Sequence, residues 1–247
     1  MNKVALVTGS GRGLGRAIAI ELAKNGYDIA INYNNSEDRA KLVKKEVESY
    51  GVNAYLVKCD ISKDEEVKLM VDNILNHFTK IDVLINNSAV CIDSLYGDKT
   101  VENFRKTLDV NLIGTFLVSK YVGDHMYENK YGKIVNVSST NGINTYFPMC
   151  LDYDASKAGI ISLTHNLSMQ YAPYINVNAV APGFIATETE VNNMDEEFIK
   201  SEEEKIFLKR IGKEEEVAKV IRFLVSDDAS YINNEVIRVD GGMYGSN

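Results

Sequence analysis

Seven short apolar, β-branched runs recur along this chain, and a helical pattern separates each from the next. The runs are Val4–Thr8, Asp28–Tyr33, Ala54–Cys59, Ile81–Asn86, Lys133–Ser138, Ile175–Val180 and Val236–Val239. Most are almost continuously apolar rather than alternating, the pattern of strands covered on both faces. Helices must therefore pack on both sides. Val67, Val71, Ile74, Leu75 and Phe78 repeat at helical spacing, and so do Val217, Val220, Ile221, Leu224 and Val225. Ser62, with Glu65 three residues on, reads as a capping box that opens the first of these helices. Strands alternating with helices imply parallel pairing through right-handed crossovers, hence an α/β, doubly wound sheet. The 247 residues suffice for one such domain spanning 1–247. One Glu-rich segment, 187–210, stands outside the pattern and reads as a substrate-binding flap or as a solvated charged helix.

The first run ends in Thr8-Gly9-Ser10-Gly11-Arg12-Gly13-Leu14-Gly15, and a helix patterned on Leu14, Ile18 and Leu22 follows. A glycine-rich turn between strand and helix lets backbone N–H groups approach a diphosphate, and the helix N-terminus favours its negative charge. The glycines do not keep G-x-G-x-x-G spacing, but their place directly after the first strand points to a nucleotide. The expected architecture is therefore a Rossmann-type three-layer sandwich with a seven-stranded parallel sheet. The second strand ends in Asn32-Tyr33-Asn34-Asn35, with no acid to hold ribose hydroxyls. Arg12, inside the turn, can pair with a 2′-phosphate. Both features favour NADP(H), with NAD(H) as the alternative.

Tyr153 and Lys157 stand four apart, one helical turn, so their side chains share a face. An ammonium beside a phenol favours the phenolate, so the tyrosine pKa is expected to fall. Such a tyrosine exchanges a proton with a carbonyl or alcohol oxygen.

Together these segments resemble the short-chain dehydrogenase/reductase family over essentially the whole chain. Its T-G-x-x-x-G-x-G motif is Thr8 to Gly15. Its N-N-A-G motif appears as Asn86-Asn87-Ser88-Ala89, with alanine for glycine, and its central-helix asparagine matches Asn111. Its serine falls in Ser138-Ser139-Thr140-Asn141-Gly142, where the S-S-x-x-G pattern favours Ser139 over Ser138. Pro182-Gly183-Phe184-Ile185-Ala186-Thr187 and Val239-Asp240-Gly241-Gly242 also match. The resemblance implies Asn111, Ser139, Tyr153 and Lys157 as catalytic residues, with Asn111 anchoring a water in a proton relay from Lys157. It implies cofactor contacts at Gly9, Gly11, Arg12, Gly13, Leu14 and Gly15, at Tyr33 and Asn34, and at Asp60 and Ile61 on the adenine side. Further implied contacts are Asn87, Ser88 and Ala89, Tyr153 and Lys157 again, and Pro182, Gly183, Ile185 and Thr187.

Within the family the chain most resembles bacterial 3-oxoacyl-acyl-carrier-protein reductases, through Asp93, Leu95 and their distance to Phe104. The substrate is then an acyl thioester, with acyl carrier protein as partner. A free ketone, sugar, steroid or other secondary alcohol is the competing substrate. Against the carrier protein, only Lys130 matches the basic docking residues, Pro173-Tyr174 offering none, and a net charge of −8 repels an acidic partner. The same charge disfavours nucleic acid. A nucleotide-binding regulator without turnover is a further class, and the complete Asn-Ser-Tyr-Lys set argues against it. No apolar run is long enough to cross a membrane. Met1-Asn2-Lys3 leads straight into Val4-Ala5-Leu6-Val7 without a signal pattern, so a cytoplasmic location is expected. Cys59, Cys91 and Cys150 match no zinc or disulfide framework, so no metal is expected, and Cys150 reads as filler or pocket lining. His77, His125 and His165 lie in helical stretches, and no G-x-S-x-G elbow occurs, which excludes familiar hydrolase arrangements. Family members are commonly tetramers, so a homotetramer or homodimer is expected through the helices around 111–127 and 153–171, with Leu112, Phe116 and Leu117 serving core or interface.

Overall fold

The strands β1 (Val4–Val7), β2 (Asp28–Tyr33), β3 (Ala54–Lys58), β4 (Val83–Asn86), β5 (Gly132–Val137), β6 (Ile175–Pro182) and β7 (Val236–Val239) pair in parallel. They form a seven-stranded sheet in the order β3-β2-β1-β4-β5-β6-β7. The computed structural model describes residues 2–144, 147–186, 191 and 193–244. The order reverses between β1 and β4, so their carboxyl ends open a crevice at the switch point.

Successive strand residues face opposite sides, so each apolar run feeds two cores. Ala5 and Val7, Ile29 and Ile31, and Val83 and Ile85 pack under α1 (Gly13–Lys24), α2 (Glu37–Glu48) and the helix Glu214–Val225. Leu6, Ala30, Leu84 and Ile134 turn the other way. They meet α3 (Asp64–Phe78), which contributes Val67 and Ile74, and the later helices that contribute Val118, Val122 and Leu167. The doubly wound expectation thus holds. Strand ends differ locally: Thr8 and Ser138 leave the strands for the turns they open, and β6 continues to Pro182 because Pro182 still pairs with Val239.

The capping box expected at Ser62 does not form. Both the Ser62 N–H and its hydroxyl donate to Asp60 Oδ1, at 3.0 and 2.7 Å. This local turn satisfies the serine before the helix begins, and α3 starts two residues later, at Asp64. Glu66 instead accepts from the Asp60 N–H.

One long helical run carries the central asparagine. It comprises α4 (Val101–Leu108), a π-helical turn (Asp109–Ile113) and α5 (Gly114–Glu128). Beside it lies α6 (Leu151–Gln170). A buried polar chain joins both to the sheet. Asn86 Nδ2 donates to Ser119 Oγ and to Asn136 Oδ1, each at 2.8 Å, and Asn136 Nδ2 donates to Thr164 Oγ1 at 2.9 Å. Leu117 packs on the core, whereas Phe116 stays exposed. The Glu-rich segment contains α7 (Glu196–Glu204), whose Phe198 ring packs edge-on against Phe184, and α8 (Glu214–Val225) follows. Residues 187–190 and 192 of the expected flap lie outside the described residues. Among the described residues, no helix is long and apolar enough to cross a membrane.

The polar chain yields a stability prediction. Asn136→Ala strands Asn86 Nδ2 with one partner fewer and removes the donor to Thr164, so unfolding free energy should fall by about 1–3 kcal/mol. Urea titration monitored by circular dichroism measures it, and an unchanged midpoint contradicts the role given to Asn136.

Candidate active site

The glycine turn is built against two neighbouring strands. Thr8 Oγ1 accepts from the N–H groups of Asn87 and Ser88, at 2.9 and 3.0 Å, and Asn87 Nδ2 donates to the Thr8 carbonyl at 2.9 Å. Asn32 Oδ1 accepts from the Gly9 N–H at 3.1 Å, while its amide donates to the Cys59 carbonyl. Gly9 itself has φ +64, and a Cβ there would sit 2.8 Å from Ser88 Oγ. Only glycine fits. Beyond the turn, α1 carries no acidic residue in its first turn and no side-chain cap. Its own residues therefore leave the N-terminal N–H groups and their partial positive charge for an external anion. These features fit a dinucleotide diphosphate.

The remaining expected cofactor contacts cluster at the same strand ends. Asp60 and Ile61 follow β3, Ser88 and Ala89 follow β4, and Pro182 and Gly183 end β6. Ile185 bridges to Gly212. Tyr33 is half-buried and Asn34 exposed at the end of β2; Arg12 is exposed. Glu37, at the head of α2, is held by Lys41 at 2.8 Å. Thr187 lies outside the described residues.

Three elements assemble the second half of the crevice. Because side chains alternate along β5 and its continuation, Val137 enters one core and Ser138 points toward α6, where its hydroxyl donates to the Lys157 carbonyl at 2.8 Å. Ser139 then lies beside Tyr153, where its hydroxyl favours the phenolate, and it accepts from the Asn141 N–H at 3.2 Å. Asn141 Nδ2 donates to Asp154 Oδ1 at 2.7 Å, tying the loop to α6. A Cβ on Gly142 would lie 2.6 Å from the Lys157 carbonyl, which explains why glycine stands there.

Lys157 is 2% exposed and donates from Nζ to the Val137 carbonyl at 2.8 Å. Its nitrogen stands 5.3 Å from the Tyr153 ring centre. Burial lowers the ammonium pKa to about 8. The phenol behaves otherwise than expected. Burial raises the Tyr153 pKa, and the neighbouring Ser139 hydroxyl only partly opposes it. The ammonium is aimed at a carbonyl rather than at the phenol oxygen, so desolvation wins. Tyr153 is held as a neutral acid.

Asn111 is fully buried, and its amide is wholly committed. Oδ1 accepts from the Val90 N–H at 2.8 Å, and Nδ2 donates to the Val90 carbonyl at 2.9 Å and to Ser156 Oγ at 3.0 Å. It thereby ties the loop after β4 to α6.

Sequence spacing missed two further features. Lys99 Nζ pairs with Asp152 Oδ1 at 2.8 Å in an almost fully buried ion pair. Burial alone would raise the Asp152 carboxyl, but hydrogen bonds from Lys99 and Thr107 outweigh it and hold it low. The pair binds the 91–99 loop to α6, one residue before Tyr153. The second is the meeting of Cys91 and Cys150, far apart in sequence, as free thiols with sulfurs 2.8 Å apart. Neither contact has a local signal, since each joins segments more than fifty residues apart.

The family model described as enoyl-(acyl carrier protein) reductase matches residues 9–244. The chain belongs to the short-chain dehydrogenase/reductase family. A 3-oxoacyl-acyl-carrier-protein reductase of Staphylococcus epidermidis is 38% identical to this short-chain dehydrogenase/reductase, covering 99% of this chain and 100% of the relative. Glucose 1-dehydrogenase 2 of Bacillus subtilis is 37% identical, covering 98% and 94% respectively. A structure of NAD+-bound xylitol dehydrogenase superimposes with a TM-score of 0.90 at 30% identity, covering 97% of this chain and 98% of that one. As a member of the short-chain dehydrogenase/reductase family, the protein is an oxidoreductase that uses a nicotinamide cofactor on CH–OH groups.

The two serines can be separated experimentally. Ser139→Ala should lower kcat about 10²–10³-fold, the usual loss on removing one oxyanion donor. Ser138→Ala should leave kcat within about threefold and cost about 1 kcal/mol of stability. Steady-state kinetics beside thermal unfolding decides between them, and the reverse pattern would exchange their roles.

Proposed function

We propose that the enzyme reduces a ketone to a secondary alcohol with NADPH, and that its substrate is a 3-oxoacyl thioester carried by acyl carrier protein. The observation that carries the carbonyl chemistry is the Ser139 hydroxyl lying beside the Tyr153 phenol, next to buried Lys157. Two hydroxyl donors converge on one point in a crevice whose other half is a diphosphate cradle. The dihydronicotinamide, when bound, supplies the hydride. Charge then develops on the substrate oxygen. Ser139 donates a hydrogen bond to it, and Tyr153, kept neutral by burial, transfers its proton. Lys157 stabilises the resulting phenolate by its charge and, with its low pKa, can pass on a proton at neutral pH. Since the Asn111 amide is committed, a relay water would bind the second lone pair of its main-chain carbonyl, which sits in the π-helical turn and already accepts from the Thr115 hydroxyl.

The choice of NADPH rests on exposed Arg12 at the diphosphate turn and on Asn34 and Asn35 after β2. The choice of an acyl substrate rests on the loops flanking Tyr153. They are joined by the Ser94 N–H donating to the Met149 carbonyl, and they expose Leu95, Tyr96, Ile143 and Phe147. Such a mouth suits an apolar chain better than a polyhydroxyl sugar. A free ketone is the second reading, supported by Lys130, which lies over the Tyr174 ring and leaves few cations for an acidic carrier. Exposed Ile113, Phe116 and Met169 on the outer face of the α5 and α6 region suit a second copy, as in a homodimer or homotetramer.

Oxidation of NADPH with acetoacetyl thioesters, diketones, steroid ketones and sugars tests this reading. Turnover of thioesters above the rest is expected; failure on every thioester ends the acyl-carrier assignment. Because Lys157 loses its charge as pH rises through about 8, kcat/KM for reduction should be level below that pH and decline above it. A level profile into strongly alkaline pH contradicts the role of Lys157. Arg12→Ala should reduce the NADPH over NADH preference about 10–100-fold, the worth of one charge-assisted contact, as read from paired kcat/KM values.

A further inference from the structure

Cys91 and Cys150 come from the two loops that flank Tyr153. Their sulfurs stand 2.8 Å apart, inside the ~3.5–4.0 Å at which non-bonded heavy atoms rest. Two thiolates on one tetrahedral zinc stand about 3.8 Å apart, whereas bonded sulfurs stand about 2.0 Å apart. The pair is therefore too close for chelation without spreading, and it lies on the approach to a bond. One carboxylate serves both thiols: Asp93 Oδ1 accepts from Cys91 Sγ at 3.1 Å and from Cys150 Sγ at 2.9 Å. Access is unequal. Cys91 is exposed and Cys150 buried, which provides one thiol open to an oxidant and one sheltered to resolve it. Cys150 immediately precedes α6, three residues before Tyr153.

We infer that Cys91 and Cys150 form a reversible intramolecular disulfide that clamps the loops over Tyr153 and slows turnover. The oxidant is a low-molecular-weight disulfide. Cys91 attacks one of its sulfurs and expels a thiolate; Cys150 then attacks the Cys91 sulfur and expels the second. One protein S–S bond forms as the small disulfide's S–S bond breaks. Two electrons pass to the small disulfide, and the two protein thiol protons finish on its released halves. Asp93 loses both thiol donors, and the mouth is fixed at its narrow spacing. Burial, with Asp93 and Asp152 nearby, pushes the Cys91 thiol up to about 11, so the reduced pair keeps its protons at neutral pH and crosses over slowly.

The slowing of turnover rests on the proposed reductase activity, whereas the cross-link does not. The full chain is incubated with excess oxidised glutathione or with dithiothreitol, and its peptides are mapped by mass. A Cys91–Cys150 linked peptide, with buried Cys59 still a thiol, is expected. Reduction kcat/KM should fall about tenfold and recover with dithiothreitol, with NADPH affinity unchanged. Cys91→Ser and Cys150→Ser enzymes should keep their activity under oxidant. Both thiols remaining free, or Cys91 stopping at a glutathione adduct, overturns the inference. So does unchanged kcat/KM in the linked enzyme. A zinc titration supplies the last arm, because Cys91, Asp93 and Cys150 place three ligand atoms within 4.8 Å. One tightly held zinc that blocks both thiols until chelated would replace the disulfide with a metal centre. A chain inactive on every carbonyl substrate would overturn the reductase assignment, while the peptide map alone would still decide the cross-link.

Discussion

The docking of α6 onto the end of β5 is the constraint on which the chemistry depends. Three contacts converge there on one residue. The Lys157 carbonyl accepts from Ser138, its ammonium donates to Val137, and its backbone leaves room only for a glycine at 142. Together these fix the helix on the strand end and so keep Ser139 beside Tyr153. A buried ammonium is costly unless paired. Here the strand-end carbonyl meets part of that cost, and the lowered pKa records the remainder.

The same economy appears on the nucleotide side. Thr8, Asn32 and Asn87 carry no charge, yet they join three strand ends into one rigid cradle. Polar side chains at those positions satisfy backbone groups that the turn would otherwise leave exposed to low dielectric. The cradle then presents the N-terminus of α1, which carries no side-chain cap of its own, at the place where the sheet order reverses. Geometry that favours an anion thus follows from the topology, and the glycines only keep the approach clear.

Between the two halves, the loop after β4 is held by unlike devices. Asn111 grips the Val90 backbone through two hydrogen bonds of its amide and Ser156 on α6 through a third. Lys99 and Asp152 pin the loop further along with a charged pair. Replacing one partner of such a pair leaves an uncompensated charge, so it specifies the loop's position more than it stabilises the fold. The thiol pair lies between these anchors, on a wall that is fixed at both ends.

Much of this was legible in the chain. Continuous apolar runs identify strands covered on both sides, and four-residue spacing places Tyr153 and Lys157 together, because both signals are periodic and local. The glycine turn announces itself by following the first strand directly. Side-chain alternation also bears on Ser138 against Ser139, although only the packing of α6 shows which hydroxyl is consumed. Other features had no local signal. Ser62 looked like a cap until Asp60 claimed it. The direction of the Tyr153 shift, the Lys99–Asp152 pair and the meeting of Cys91 with Cys150 were decided by tertiary structure alone. Desolvation and contacts between distant segments depend on what surrounds a group in space, and sequence spacing records only what surrounds it along the chain.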